Sequence, residues 1–335
     1  MDLNLFLLLE KKVGRRLTKK LPTILVITGP TGSGKTKLAH LISKIIPSEL
    51  ISADSRQIYK GLDIGTSKPT KSDIKNLNYH LIDIRNPDEK YSAGEFQIDG
   101  RKAISKIITK NKLPIVVGGT GLYIRALIDG LSENIESDLD LRLKFEEEIK
   151  EKGLNSLFLK LKKVDPKTAK VIDSKNPRRI IRALEVYYLT EKPISELHSE
   201  REKDILFNPI FVGLNWERDK LYSRIDIRVE EMLENGFLLE VKNLLEKGFD
   251  DKLQSMQSVG YKEMLLHLKN PKEIVSQKLS YDEAVNEMKK NTRRFAKRQL
   301  TWFRKESRTN WINISDETEF ENISKKVVEN IVINR

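Results

Sequence analysis

The sequence predicts an α/β fold: a parallel sheet core flanked by helices, with an all-helical insertion domain. Three observations predict it. Short, β-branched apolar runs alternate with stretches of helical periodicity as far as Gly130. A Gly-rich turn follows the first of these runs and leads into a helix. Beyond Gly130 the alternation stops, and helical periodicity continues to about residue 198.

The first strand is Thr23–Thr28, TILVIT, an apolar run of strand length. Leu38, Leu41, Ile42 and Ile45 then recur at helical spacing. Short strands are predicted over 50–52 and 79–84, a helix over 96–108, a buried strand over 113–117 and a helix over 122–128. Apolar strands separated by helices belong in a parallel sheet covered on both faces. The polar, acidic stretch 131–138 reads as a linker. Within the helical region, Asn176-Pro177 starts a helix, because Asn caps and Pro fits the first turn. One more strand is predicted over 207–214. After it, Leu221, Ile225, Val229 and Met232 form one helical stripe, Gly248 marks a helix stop, and Ser280 with Glu283 forms a capping box before a long basic helix. The expected division is a frayed leader at 1–21, a catalytic core made of 22–131 and 206–312, a helical insertion domain at 132–205, and a tail at 313–335.

The chain has 335 residues, enough for about two domains, and 39% of them are apolar, which suits a packed core and excludes wholesale disorder. There is no cysteine, so disulfide scaffolds and thiolate metal sites are excluded, and a reducing, cytoplasmic location is expected. The early apolar run from Leu5 to Leu9 is far shorter than the roughly 20 residues of a membrane helix, so no membrane partner is expected. Its basic residues follow it, the reverse of a secretory signal; a transit peptide is the alternative reading. The net charge of +12 suits a polyanionic partner. The four histidines show no metal-ligand spacing.

Gly29-Pro30-Thr31-Gly32-Ser33-Gly34-Lys35-Thr36 matches G-x-x-x-x-G-K-[ST], the P-loop pattern, in its proper place between strand and helix. Backbone N–H groups of such a loop turn onto phosphate oxygens, and the following helix adds its positive end. Lys35 supplies a point charge, and the Thr36 hydroxyl can join a Mg²⁺ shell. The loop predicts a di- or triphosphate ligand without saying which. Asp54 follows the second strand at the carboxyl edge of the sheet, where ligands of open α/β sheets bind. It can hold Mg²⁺ through water, take a proton from a nucleophile, or cap a helix with Ser55. Gln57 carries an amide suited to an adenine edge. Gly118-Gly119-Thr120 closes the strand at 113–117 and directs Thr120 either to the same crevice or to a helix cap.

Taken in order, these motifs resemble those of tRNA dimethylallyltransferases, also called tRNA isopentenyltransferases. The resemblance rests on GPTGSGKT, on SADSRQIY, on Asp63-Ile64-Gly65-Thr66 with Lys68-Pro69, and on VVGGTGLY. It continues through Asn176-Pro177-Arg178-Arg179-Ile180-Ile181-Arg182-Ala183-Leu184-Glu185, Ser258-Val259-Gly260-Tyr261 and Lys297-Arg298-Gln299-Leu300-Thr301-Trp302. It spans about residues 22–312. Gly32 stands where the family more often has Ala, and Ala53 where it has Val.

The resemblance implies transfer of a dimethylallyl group from dimethylallyl diphosphate to N6 of the adenosine 3′ of the tRNA anticodon, with Mg²⁺. It implies that Asp54 is the general base on N6, and that Lys35 and Thr31 belong to the catalytic set. The loop from Gly29 to Thr36 would hold the diphosphate. Asp54, Ser55, Arg56 and Gln57 would meet the adenosine. Thr120, Arg142, Arg178, Arg179, Ile180, Ile181 and Arg182 would contact tRNA, the helical insertion clasping the anticodon stem. A monomer is expected.

Basic segments fit an RNA partner. Arg178 and Arg182 are four apart near a helix start, where the helix dipole disfavours cations unless an anion is near; the alternative is a solvated face. Arg224 and Arg228, also four apart, lie opposite an apolar stripe; they can reach a diphosphate or RNA, or form a solvated surface face. Nine Lys and Arg residues fall between Lys289 and Arg308 against Glu306 alone. Met288, Phe295 and Trp302 recur every seven residues on the other side and are expected to pack inward; the alternative for Trp302 is a base-stacking platform. A P-loop nucleotide or metabolite kinase explains the phosphate loop and Asp54, but not the length or the basic C-terminal helix. An RNA-binding NTPase switch predicts a carboxylate after the strand at 113–117, where Gly-Gly-Thr stands instead.

Overall fold

The computed structural model describes residues 21–131, 135–199, 205–268 and 278–334; the predicted leader lies outside them but for Leu21. Its centre is a six-stranded sheet of β1 (Thr23–Thr28), β2 (Ser48–Ser52), β3 (Tyr79–His80), β4 (Leu113–Val117), β5 (Asn208–Trp216) and β6 (Thr309–Ile314) in the order β3-β2-β4-β1-β5-β6. Every pairing is parallel, with Leu25 beside Ile115 on one side of β1 and Ile210 on the other. A parallel sheet needs crossovers, and the helices that make them cover both faces. Helices α1 (Lys35–Ile45), α2 (Lys71–Asn76) and α3 (Ala93–Thr109) connect the first four strands, and α4 (Gly121–Asp129) follows β4.

The third strand is shorter than predicted. Leu81 and Asp83 have φ of +62° and +55°, so the chain leaves the β region straight after His80. The alternation of apolar residues over 79–84 carries no sign of that turn.

The insertion consists of α5 (Leu139–Lys152), α6 (Leu154–Val164), α7 (Pro166–Val171), α8 (Pro177–Thr190) and α9 (Ile194–Ser199). The Asn176 side chain caps α8 and Pro177 occupies its first turn. These helices bury a cluster of their own, including Phe145, Leu157, Leu161, Ile180, Ile181 and Leu184, distinct from the two clusters on the faces of the sheet.

After β5 come α10 (Arg218–Glu234), α11 (Phe237–Glu246), α12 (Tyr261–Leu268) and α13 (Tyr281–Phe303). Leu221, Ile225 and Val229 of α10 are buried, as their spacing predicts, and Ser280 closes a complete capping box on α13. Arg293 of α13 pairs with Asp226 of α10 at 2.6 Å, and Lys289 pairs with Glu230, so the two helices are joined along their length. Phe295 and Trp302, expected inside with Met288, are 37% and 36% exposed. The seven-residue stripe therefore splits: Met288 enters the core, while Trp302 lies at the surface under the Arg125 guanidinium, 5.7 Å from the ring centre.

The segment expected as a C-terminal tail is part of the core. A 3₁₀ turn at Glu317–Glu319 leads into α14 (Phe320–Asn334), whose Phe320, Ile323, Val327 and Ile331 bury at helical spacing against α1 and β6. Among the described residues no helix is long and apolar enough to cross a membrane.

Candidate active site

The turns that follow β1, β2 and β4 meet at the carboxyl edge of the sheet. Gly118 makes their contact possible: a Cβ there would lie 2.2 Å from the Ala53 carbonyl oxygen. Ala53 N–H donates to Val117 O at 2.9 Å, and Thr120 N–H donates to Ala53 O at 3.1 Å. Thr120 Oγ1 accepts from Ser55 N–H at 3.0 Å, which ties the turn after β2 to the start of α4. Asp54 uses Oδ1 to accept from Arg56 N–H at 2.8 Å, and its side chain is half-buried. The Arg56 guanidinium donates to Gln254 O at 2.7 Å.

Facing Asp54 is the loop Gly29–Thr36. Lys35 Nζ donates to Pro30 O at 2.7 Å, which folds the side chain back over the loop. Burial, and after it the nearby Arg228 guanidinium, pull the Lys35 ammonium from 10.5 down to about 7, against the opposing pull of Asp54. Arg228 is likewise pushed down by burial and held up by Asp54. Lys35, Arg228 and Asp54 therefore share one crevice, with two cations set to receive an anion beside a carboxylate. The Ser33 hydroxyl is buried in the loop without a hydrogen-bond partner. The Phe320 ring covers Gly34, and Trp216 Nε1 donates to Ser33 O at 3.0 Å, so the loop is braced from behind.

Several expected residues are placed differently. Arg224 donates to Gly32 O at 2.9 Å, pairs with Glu317 and stacks on Trp216 at 4.3 Å; it braces the loop, while Arg228 faces the crevice. The Gln57 amide is engaged within the protein. Its Oε1 accepts from Ser52 Oγ at 2.9 Å, and its Nε2 donates to Thr66 O and Ser67 O at 3.2 and 3.3 Å. Ser67 Oγ in turn accepts from Arg228 Nε at 2.9 Å, so Gln57 holds the loop that orients Arg228.

In the insertion, Ile180 and Ile181 are 0% and 8% exposed, which corrects the expectation that their side chains meet tRNA. Arg142 and Arg182 converge on the buried Glu185, at 2.7 Å each. Burial pushes the Glu185 carboxyl up, but hydrogen bonds from both guanidiniums outweigh it and hold the group below the usual carboxylate range. Asp138 N–H adds a bond to the same carboxylate at 2.9 Å, so the cluster fixes the start of α5 on α8. Arg178 and Arg179 are exposed at the start of α8. Arg178 is near enough to Arg56 to depress that guanidinium, whose larger cause is burial. One face of the insertion thus approaches the crevice.

Sequence reasoning missed Ser67, Glu240 and Glu317, and it quoted Gln299 in a motif without giving it a role. Glu240 accepts from the backbone N–H groups of Asp63, Ile64 and Gly65 and from Tyr261 Oη, anchoring the loop below Ser67. Gln299 had a usable signal, an uncharged amide amid the basic residues of α13. Among the described residues no three His, Asp or Glu side chains gather as a metal-binding group. Thr36, half-buried in the loop, offers a hydroxyl oxygen, which suits a hard cation arriving on a phosphate better than a resident metal.

A family model described as IPP transferase matches residues 57–306. The chain is 47% identical over 312 residues to a tRNA dimethylallyltransferase of Acetivibrio thermocellus, covering 92% of this chain and 96% of that protein. It is 45% identical over 310 residues to the enzyme of the same name from Pelotomaculum thermopropionicum, covering 92% and 96%. Among solved structures, the full-length tRNA isopentenylpyrophosphate transferase of Bacillus halodurans is similar with a TM-score of 0.65 at 38% identity, over 92% of this chain and 96% of the other. A eukaryotic dimethylallyltransferase acting on tRNA gives a TM-score of 0.78 at 28% identity, over 94% and 80%. Phosphate loop, basic C-terminal helix and helical insertion are thus placed in one known group, and not among kinases: the chain belongs to the IPP transferase family.

Proposed function

We propose that this chain transfers a dimethylallyl group from dimethylallyl diphosphate to N6 of the adenosine 3′ of the tRNA anticodon, releasing diphosphate. The observation that carries the reading is the shared crevice of Lys35, Arg228 and Asp54, where an anionic leaving group and a proton acceptor fit side by side. The curated relatives bear the name tRNA dimethylallyltransferase and match over nearly their whole length. A monomer in the cytoplasm is part of the same reading; a chain without cysteine suits a reducing compartment.

The step breaks the allylic C–O bond, and its electron pair leaves with the diphosphate. The N6 lone pair forms the new N–C bond, and Asp54 takes the N6 proton. Lys35, Arg228 and the loop N–H groups from Thr31 to Thr36 bind the diphosphate, and they stabilise the charge that grows on it as the bond breaks. Thr36 would hold Mg²⁺, which would supply further neutralisation of the diphosphate when bound. The target base must be drawn out of the anticodon-loop stack to reach the crevice. The deciding experiment is incubation with unmodified tRNA, Mg²⁺ and either dimethylallyl diphosphate or ATP, followed by nucleoside mass analysis. Dimethylallyl adenosine forms with the diphosphate alone; a strict ATP requirement would falsify the reading.

Two further results are expected. With its ammonium at about 7 in the free protein, Lys35 is largely neutral above that pH. A bound diphosphate favours the charged form, so binding takes up a proton there and weakens as pH rises above about 7. Calorimetry at pH 8 in buffers of different ionisation enthalpy measures the uptake. Lys35→Arg, which does not titrate in this range, abolishes it; equal uptake by that variant assigns the proton elsewhere.

For tRNA, Arg178→Ala is expected to lower the slope of log affinity against log salt by about 0.7–0.9, one phosphate contact. Arg182→Ala acts differently, because Arg182 holds Glu185. It lowers the thermal midpoint of the protein and leaves most of the salt slope. Equal salt slopes for Arg178→Ala and wild type return Arg178 to the solvated surface.

A further inference from the structure

Gln299 lies on α13, 268 residues from the phosphate loop it touches. It is buried, with 6% of its surface exposed. Its Oε1 accepts from Thr31 N–H at 2.8 Å, and its Nε2 donates to Gly119 O at 2.9 Å. The amide can sit only one way round, since a backbone N–H only donates and a carbonyl only accepts. A Cβ on Gly119 would lie 2.2 Å from Nε2, so the absence of a side chain there is what admits the amide.

The two groups that Gln299 joins belong to the two halves of the crevice. Thr31 stands in the loop that faces the diphosphate. Gly119 precedes Thr120, whose hydroxyl accepts from Ser55 N–H next to Asp54. The last backbone bond recorded between β1 and the turn after β4 is a long one, Gly118 N–H to Ile27 O at 3.3 Å. Past it, the link continues through the Gln299 amide. We propose that Gln299 is a positioning residue: it holds the diphosphate loop and the turn that supports Asp54 at a fixed separation, so that the acceptor amine and the departing diphosphate stand in register. The inference rests on the prenyl-transfer reading above.

A group that sets the distance between two substrates acts when both are bound. Each substrate still finds its own half of the site when the pin is removed, but the reacting atoms no longer meet in the reactive geometry. A misplacement of about 1 Å costs on the order of 10²-fold in rate.

The test is Gln299→Met, of similar length and without the amide. Three quantities are measured: the affinity for dimethylallyl diphosphate alone, the affinity for tRNA alone, and the single-turnover rate with both saturating. Both affinities are expected within about threefold of wild type, with the saturating rate down on the order of 10²-fold. If the Met variant does not fold, Gln299→Leu, which also removes the amide and adds no charge, carries the same comparison: both affinities are held and the saturating rate is lost. A saturating rate within threefold of wild type overturns the proposal. So does a loss confined to one substrate's affinity, which makes Gln299 part of that binding site only. Wild type is the control: if it does not transfer the prenyl group, the functional reading itself fails, a result distinct from an active wild type and an equally active variant.

Discussion

Asp54→Asn is expected to lower the single-turnover rate of prenyl transfer by roughly 10²–10⁴-fold, the usual range for a positioned base. The substitution isolates the proton-accepting role. Asn keeps the side-chain oxygen that accepts from Arg56 N–H at 2.8 Å, so the turn after β2 retains its shape. What it loses is the negative charge, and with it a place for the N6 proton. The affinity for tRNA is expected to change little. That for dimethylallyl diphosphate is expected to rise slightly in the absence of Mg²⁺, because the carboxylate stands near the two cations that meet the diphosphate. Single-turnover measurement at saturating concentrations of both substrates, with the affinities determined separately, gives the comparison. A rate near wild type leaves Asp54 as a turn-forming carboxylate and moves the base elsewhere.

Elements whose cause is local were legible in the sequence. TILVIT and LPIVV are continuous buried runs bounded by turn residues, and both became strands at the predicted limits. Asn176-Pro177 and the Ser280–Glu283 box fixed two helix starts for reasons contained within a few residues. The phosphate loop was legible because its function is carried by backbone geometry that the glycines encode. Long-range consequences were not. Nothing near Arg142 or Arg182 announces a shared buried partner, since Glu185 looks like any acid on a helix until α5 packs on α8. Gln57 presents an amide suited to adenine, but whether that amide is free depends on Thr66 and Ser67, brought back by a turn. The helix at Phe320–Asn334 has a readable apolar stripe, yet only the packed sheet shows that it covers α1 and backs the phosphate loop.

Lys35→Ala is expected to damage both binding and chemistry on the diphosphate side alone. The ammonium sits over the loop, 2.7 Å from Pro30 O, and burial holds it at about 7, so a diphosphate supplies the counter-charge that the free protein lacks. A charge-assisted hydrogen bond is worth about 1.5–3 kcal/mol, which weakens diphosphate binding by roughly 10- to 150-fold when lost. Charge grows on the leaving group as the allylic C–O bond breaks, so the same ammonium acts more strongly in the transition state than in the ground state. Loss of one such preorganised donor costs about 10²–10³-fold in rate. Affinity for tRNA is expected to stay near wild type if, as proposed, RNA is held by the exposed Arg178 and Arg179 and the basic face of α13. Lys35→Arg restores the charge without its titration, and it is expected to recover more binding than rate, since a planar guanidinium does not fit where the ammonium folds back onto the loop. Isotope-labelled dimethylallyl diphosphate gives the affinity, and rapid-quench turnover with excess tRNA gives the rate. Normal diphosphate affinity together with lost tRNA binding contradicts the assignment and makes Lys35 an RNA contact.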